Sequence, residues 1–275
     1  MWTLSGFADE IDADLTRQCE VLNELGISQI EFRSAWGTNV CDLTDEQLTE
    51  AADILATHGI AMSSVGSPIG KIRVDEDFDA HVERFRRALF VADSFHAPYL
   101  RLFSFYPPEG GNVADHRDEV LRRLTALADA AEPFDLTLLH ENEKGIYGDI
   151  PARCLDIVES VGRDNLKLTW DAANFVQVGV RPFTDGYALL RPHVVYIQIK
   201  DALLRDQSVV PAGQGDGELR ETIAALAADG FDGVFSMEPH LAVIGRLGGF
   251  SGPDLFVTAT KAFTALLDEA SIPYA

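Results

Sequence analysis

Short apolar runs of strand type alternate with amphipathic helical segments along the whole chain, and they do so eight times. The strand-like runs are Trp2–Phe7, Ile27–Phe32, Ile60–Val65, Tyr99–Phe103, Leu136–Leu139, Leu166–Trp170, Val194–Ile199 and Val234–Met237. The helical segments between and after them are Leu15–Leu25, Asp45–Thr57, Phe78–Ser94, Asp118–Ala131, Ala152–Val161, Tyr187–Leu190, Leu219–Ala228 and Leu255–Glu269. Apolar side chains recur every three to four positions in the longer segments and run nearly unbroken in the short ones. Local signals agree. Thr44-Asp45-Glu46-Gln47 has the form of a capping box, and Pro151 sits where a first helical turn tolerates it. The glycines of "ELGI", "THGI" and "ADGFDG" stop helices just before strands two, three and eight. Eight strand–helix pairs in 275 residues is the count and length of a (β/α)8 TIM barrel, in the α/β class. A doubly wound open sheet would use fewer strands and often a Gly-rich first turn, but no GxGxxG follows the first strand and no P-loop occurs. Without a linker, low-complexity tract or break in composition, residues 1–275 read as a single domain, and 47% hydrophobic content suffices for its core.

Charge narrows the partners. The formal net charge is −22, from 44 acidic and 22 basic residues, and only five of the basic residues are lysine: Lys71, Lys144, Lys167, Lys200 and Lys261. Such a chain repels nucleic-acid phosphates and anionic membrane surfaces, so neither is an expected partner. No apolar stretch approaches the roughly 20 residues of a membrane span. The first ten residues, "MWTLSGFADE", lack a basic signal-peptide start. Cys19, Cys41 and Cys154 are scattered, as in a reducing compartment, and a cytoplasmic location is expected. Scarce lysine beside abundant Asp and Glu fits a halophilic, salt-rich cytoplasm, where self-repulsion is screened within a few ångströms. Thermal stability should then rise steeply from low to molar KCl; a melting temperature flat across that range would remove this reading.

In a TIM barrel, chemistry belongs at the carboxyl ends of the strands. Those positions hold Asp9 and Glu10, Glu31 and Arg33, Ser67 and Lys71, Arg101 and Ser104, then His140, Glu141 and Glu143. The last three strands offer Asp171 with Asn174, then Gln198, Lys200 and Asp201, and finally Glu238 and His240. Strands five to eight each bring one oxygen donor to a matching place: Glu141, Asp171, Gln198 and Glu238. Four such donors suit a hard or borderline divalent cation, Mn2+ or Mg2+. Zn2+ or Co2+ are alternatives, although zinc fits less well without a Cys or His cluster. Each residue also has a plainer reading. Glu141 could pair with Lys144 or Lys200, Asp171 could cap the next turn, and Glu238 could bond His240. Asp9 and Glu10 read as complements to the dipole of the first helix.

These stretches resemble the xylose-isomerase-like TIM-barrel superfamily of sugar isomerases and epimerases, the sugar phosphate isomerase/epimerase family. The resemblance is carried by "SGFADEI", "GISQIEFR", "VGSPIGKI", "LLHENEKGIYGD", "WDAANFVQVGV", "YIQIKDA", "VPAGQGDGE" and "FSMEPHL". It implies one divalent metal held by Glu141, Asp171, Gln198 and Glu238, with Gln198 where His is commoner. It implies proton abstraction next to a carbonyl through a metal-stabilised enediolate, with Glu141 and Glu238 as the acid–base pair. The partner would be a small-molecule sugar or sugar phosphate. Glu31, Arg33, Lys71, Arg101 and Asn174 are candidates to line its pocket, and His140, Lys200 and His240 to assist or to contact hydroxyls. His140 and Asn142 would position the metal ligand between them, with Glu143 and Lys144 shaping the rim. A homo-oligomer is compatible with the sequence, which does not fix the number of subunits.

Three other functions compete: a hydro-lyase acting on a polyol ketone (inosose-dehydratase-like), a DNA-repair endonuclease, and a non-catalytic sugar-binding barrel. The endonuclease needs more histidine ligands and a basic groove. Finally, the glycine-rich stretches "PAGQGDGE" and "IGRLGGFSGPD" follow strands seven and eight, where many barrels hold a substrate phosphate. A cradle there would centre on Arg246, Gly248 and Gly249.

Overall fold

The computed structural model describes residues 1–245 and 248–275. Eight parallel strands form the inner wall: β1 (Thr3–Gly6), β2 (Gln29–Phe32), β3 (Ala61–Val65), β4 (Tyr99–Leu102), β5 (Thr137–Glu141), β6 (Leu166–Asp171), β7 (Val194–Ile199) and β8 (Val234–Met237). The ladder runs β1-β8-β7-β6-β5-β4-β3-β2, with β1 and β2 side by side at the seam. The molecule is a nearly closed (β/α)8 TIM barrel. At the seam β1 engages the last residues of the chain, Trp2 N donating to Pro273 O (2.9 Å) and Leu4 N to Ala275 O (2.7 Å).

The capping box at Thr44 forms as read, with Gln47 N donating to Thr44 Oγ1 and Thr44 N to Gln47 Oε1, and it starts a helix over Asp45–His58. That helix ends at Gly59 (φ 68°), a left-handed turn that a side chain would strain. Pro151 opens the helix Pro151–Val161. The sixth unit departs from expectation: a short helix, Ala172–Val176, follows β6 directly, and a wide-turn helical stretch, Pro182–Tyr187, leads into Ala188–Leu190. Antiparallel hairpins beyond β2 (Ser34–Ala35 with Thr38–Asn39) and β8 (Val243–Gly245 with Gly248–Phe250) stand at the carboxyl end of the barrel. Among the described residues, no helix is long and apolar enough to cross a membrane.

Apolar side chains fill the space between sheet and helices, as hydrophobic burial requires. The barrel interior differs. Where branched aliphatic layers are usual, it buries Ser5, Ser63, Tyr196, Ser236, Glu31 and Gln198. Ser63 Oγ lies 2.7 Å from Ser5 Oγ and 3.0 Å from Tyr196 Oη. The polar character of the site therefore begins inside the barrel.

Candidate active site

Strand parity decides which residues reach the mouth. In the ladder Asp171 pairs with Gln198, and Gln198 with Ser236, so these three side chains share one face. Glu141 pairs with Thr169, two residues before Asp171, and therefore projects to that same inner face. Arg33, Lys200 and Glu238 follow two residues after the inward Glu31, Gln198 and Ser236. Ligand atoms of Glu141, Asp171 and Glu238, all buried, come within 4.8 Å of one another. The sequence reading placed these acids together from the ends of three strands, and the structure does so.

Basic and amide groups surround the three carboxylates. Arg101 Nη1 donates to Glu141 Oε2 (3.0 Å) and stands 3.6 Å from Glu238 Oε1. Asn174 Nδ2 donates to Glu141 Oε1 (3.2 Å). Arg33 bridges Asp9 (2.8 Å) and Glu238 (3.0 Å). Lys200 Nζ sits between Asp171 Oδ2 (2.7 Å) and Glu238 Oε2 (2.9 Å). The contact with Asp171 is electrostatic rather than a well-aligned hydrogen bond, and Asp171 Oδ2 has no hydrogen-bond partner. Asn142 holds the Asp171 backbone with two bonds, Nδ2 to Asp171 O (2.8 Å) and Asp171 N to Oδ1 (3.0 Å), so Asn142 positions Asp171. The plainer readings are realised in part. Asp171 does cap the next turn, accepting from Asn174 N (2.9 Å), but Glu141 pairs with Arg101 rather than with Lys144.

Burial sets the electrostatics. It pushes Asp171 up to about 7 against the pull of Lys200, Glu31 to about 7 against Arg101, and Glu10 to about 8 against Arg33. Glu141 is raised for the same reason, against Arg101. Burial acts on Glu238 too, but the Lys200 ammonium and the Arg33 guanidinium hold it well below the usual carboxylate range. Burial brings His240 down to about 4, so its ring is neutral near pH 7.

A cavity of about 700 Å³ opens over the cluster, lined among others by Arg33, Lys71, Arg101, Asn174, Lys200 and His240. Those six expected pocket residues are where the sequence reading put them. Three are not. His140 faces outward: its ladder partners Leu102 and Leu168 belong to the core between sheet and helices, and a Cβ on Gly148 would lie 2.3 Å from its Cε1. Burial lowers its pKa to about 3, and neither ring nitrogen has a partner. Glu31 lies below the cavity, buried, and accepts from Gln198 Nε2 (3.3 Å) instead of lining the pocket. Arg246 lies outside the described residues.

The glycine loop after β7 also corrects an expectation. Its amides do bind an anion, but the anion is the chain's own Asp201. The Asp201 carboxylate accepts from Gly213 N (2.9 Å), Gly215 N (3.0 Å), Gly217 N (2.9 Å) and Ala202 N (2.9 Å). A Cβ at Gly215 would stand 2.3 Å from Asp201 Oδ1. Gly249 N is likewise engaged, by His240 Nε2 (3.0 Å), so its part in a phosphate cradle is not supported. Asp9 and Glu10 were missed as site residues. Asp14 caps the first helix, while Asp9 braces Arg33 and Ser34, and Glu10 accepts from His240 N and Ser251 Oγ (both 2.8 Å).

With this geometry in view, the comparisons with known proteins place the chain. The family model described as "Xylose isomerase-like TIM barrel" matches residues 19–251, and the chain belongs to that family. An inosose isomerase of Bacillus velezensis is 23% identical over 235 residues, covering 82% of this chain and 84% of the relative. Among solved structures, a D-tagatose 3-epimerase-like protein superposes with a TM-score of 0.80 at 18% identity over 98% of both chains. A probable 3-DHS dehydratase from Bacillus anthracis gives 0.75 at 18% identity, covering 96% of this chain and 98% of that one. A xylose isomerase-like TIM barrel protein from Mycobacterium smegmatis, in complex with magnesium, gives 0.74 at 20% identity over 98% and 97% of the two chains. The family includes isomerases and epimerases, and its neighbours include a dehydratase.

Proposed function

We infer that this chain is a divalent-metal-dependent isomerase or epimerase of a sugar or sugar phosphate, using Glu141, Asp171, Gln198 and Glu238 as metal ligands. The observation that carries the reading is the convergence of Glu141, Asp171 and Glu238 at the barrel mouth. Fit to a metal is supported by the buried Gln198 Oε1, which has no partner, and by Asp171 Oδ2, which faces only the Lys200 ammonium. Buried polar atoms are rarely left so. The second acidic group, Glu10, Glu238 and His240, is a poorer candidate because His240 Nε2 already accepts from Gly249. An all-oxygen donor set favours Mn2+ or Mg2+.

Such an ion supplies Lewis-acid polarisation of a carbonyl, which makes the neighbouring C–H acidic enough to lose a proton near pH 7. The chain supplies the rest. Glu141 ends β5 and Glu238 directly follows β8, with two strands between them, so they reach a bound substrate from different directions. One carboxylate removes the proton next to the carbonyl and the other returns it. Return to the same carbon is epimerisation; return to the neighbouring carbon is isomerisation. Lys200 and Arg101 favour the negative charge that develops on the substrate oxygens, and Asn174 fixes Glu141.

A hydro-lyase is the second reading. Buried Lys200 gives it a cationic N–H donor at the mouth for a departing hydroxide, and a dehydratase shares the fold. Incubation in D2O with a panel of free and phosphorylated ketoses separates the two. The proposed function gives Mn2+-dependent deuterium incorporation into a product with the substrate's elemental composition. Loss of water would support the lyase, and no turnover of any ketose with Mn2+ bound would leave a sugar-binding barrel.

A further inference from the structure

Lysine is rare in this chain and concentrated at one place. Eighteen of the 275 residues line the cavity over the carboxylate cluster, and they include three of the five lysines, Lys71, Lys144 and Lys200. A random distribution would put fewer than one there. Arg33, Arg84 and Arg101 line it as well, making six basic residues against four acidic ones, in a chain where acids outnumber bases two to one.

Most of these cations are matched. Arg33 and Lys200 hold Glu238, Arg101 holds Glu141, Arg84 holds Asp42 (2.6 Å), and Lys71 holds Glu143 (3.2 Å). Lys144 is not. Its Nζ donates to Gln177 Oε1 (3.1 Å), a neutral group, and among the described residues it has no carboxylate partner. The Glu143 carboxylate accepts from Lys71 Nζ on one oxygen and from the Lys144 backbone N (2.9 Å) on the other. The exposed Lys144 therefore gives the rim one positive charge beyond the Lys71–Glu143 pair, in a strongly negative protein.

Resting on the function proposed above, we propose that the substrate is an anion, an α-hydroxy carbonyl compound carrying a carboxylate that Lys144 binds with Lys71 beside it. A carboxylate fits better than a phosphate, whose usual partners are backbone amides at glycine-rich turns. Here the amides of Gly213, Gly215 and Gly217 are committed to Asp201, and that of Gly249 to His240. Among the described residues, Lys144 is the lining cation without a carboxylate partner.

Calorimetric titration of the Mn2+-loaded protein with D-fructose, D-fructuronate and D-fructose 6-phosphate tests this. These ketoses differ in the group at carbon six: hydroxymethyl, carboxylate or phosphorylated hydroxymethyl. D-fructuronate should bind at least tenfold tighter than D-fructose, and the gap should shrink with added salt. Lys144→Gln should reduce the gap to about threefold or less. Lys261→Gln, a lysine outside the cavity, should leave it unchanged. Equal binding of the neutral and carboxylated sugars, tighter binding of the phosphate, binding of none, or an intact gap in Lys144→Gln would each overturn the inference. The Kd for Mn2+, measured beforehand, keeps the two readings apart. Tight Mn2+ binding without discrimination removes this inference alone, and discrimination without Mn2+ binding removes the metal reading alone.

Discussion

Glu238→Gln is expected to lower the rate of deuterium exchange by about a thousandfold, in the range lost when a positioned acid–base group is removed. Glu238 carries more of the mouth than any neighbour. Its Oε1 meets Arg33 at 3.0 Å and its Oε2 meets Lys200 at 2.9 Å, with Arg101 at 3.6 Å and His240 at 3.4 Å. Glutamine keeps the volume and one acceptor oxygen but removes the charge, so neither proton transfer nor firm metal ligation survives. Arg33 and Lys200 are both buried and would share one counter-ion fewer. Breaking a buried pair costs about 3–5 kcal/mol. Asp9 and Asp171 still face these cations, so the loss of stability should fall at or below the lower end of that range. Exchange kinetics and a denaturation curve on the same sample check both parts. Wild-type exchange in a folded Glu238→Gln protein would remove Glu238 from the chemistry.

Lys200→Met should have the largest effect on stability without metal. The ammonium lies between two buried carboxylates, and burial works against its charge while Asp171 and Glu238 hold its pKa well above the ordinary value. Methionine has nearly the same length and no charge. In EDTA the variant should lose about 3–5 kcal/mol, because buried Asp171 then loses its cation while Glu238 keeps Arg33. Mn2+ should restore it more than it stabilises the wild type, since a ligand stabilises by RT ln(1 + [L]/Kd), about 4 kcal/mol at a thousand times Kd. An equal rise in melting temperature for both proteins would mean that ammonium and metal do not share this electrostatic role.

Much of this was legible in the sequence, for a physical reason. A parallel barrel repeats one strand–helix unit, so strand ends can be located by period, and donors at equivalent ends must converge. That logic brought Glu141, Asp171 and Glu238 to one mouth. It failed at His140 because both faces of a barrel strand are buried, and apolar pattern does not reveal which of two adjacent residues points inward. Ending the fifth strand at Leu139 hid the parity that the ladder supplies through Glu141 and Thr169. Depth was equally hidden: Glu31 faces inward as read but stops one layer short, against Gln198. Asp9 and Glu10 meet partners such as Arg33 and Ser251, 24 and 241 positions away, and no local rule anticipates such pairs. The glycines after β7 were read only as one of two loops where barrels hold a substrate phosphate, and their amides hold a carboxylate instead. The anion, Asp201, lies in the same chain.

Equilibrium dialysis against Mn2+ asks for the metal alone, apart from any substrate. Wild-type protein should bind about one ion per chain, and Asp171→Asn and Glu238→Gln should each raise the Kd more than tenfold. A wild-type chain that takes up no Mn2+, or variants that bind it as tightly as wild type, would contradict the assignment of this mouth as a metal centre.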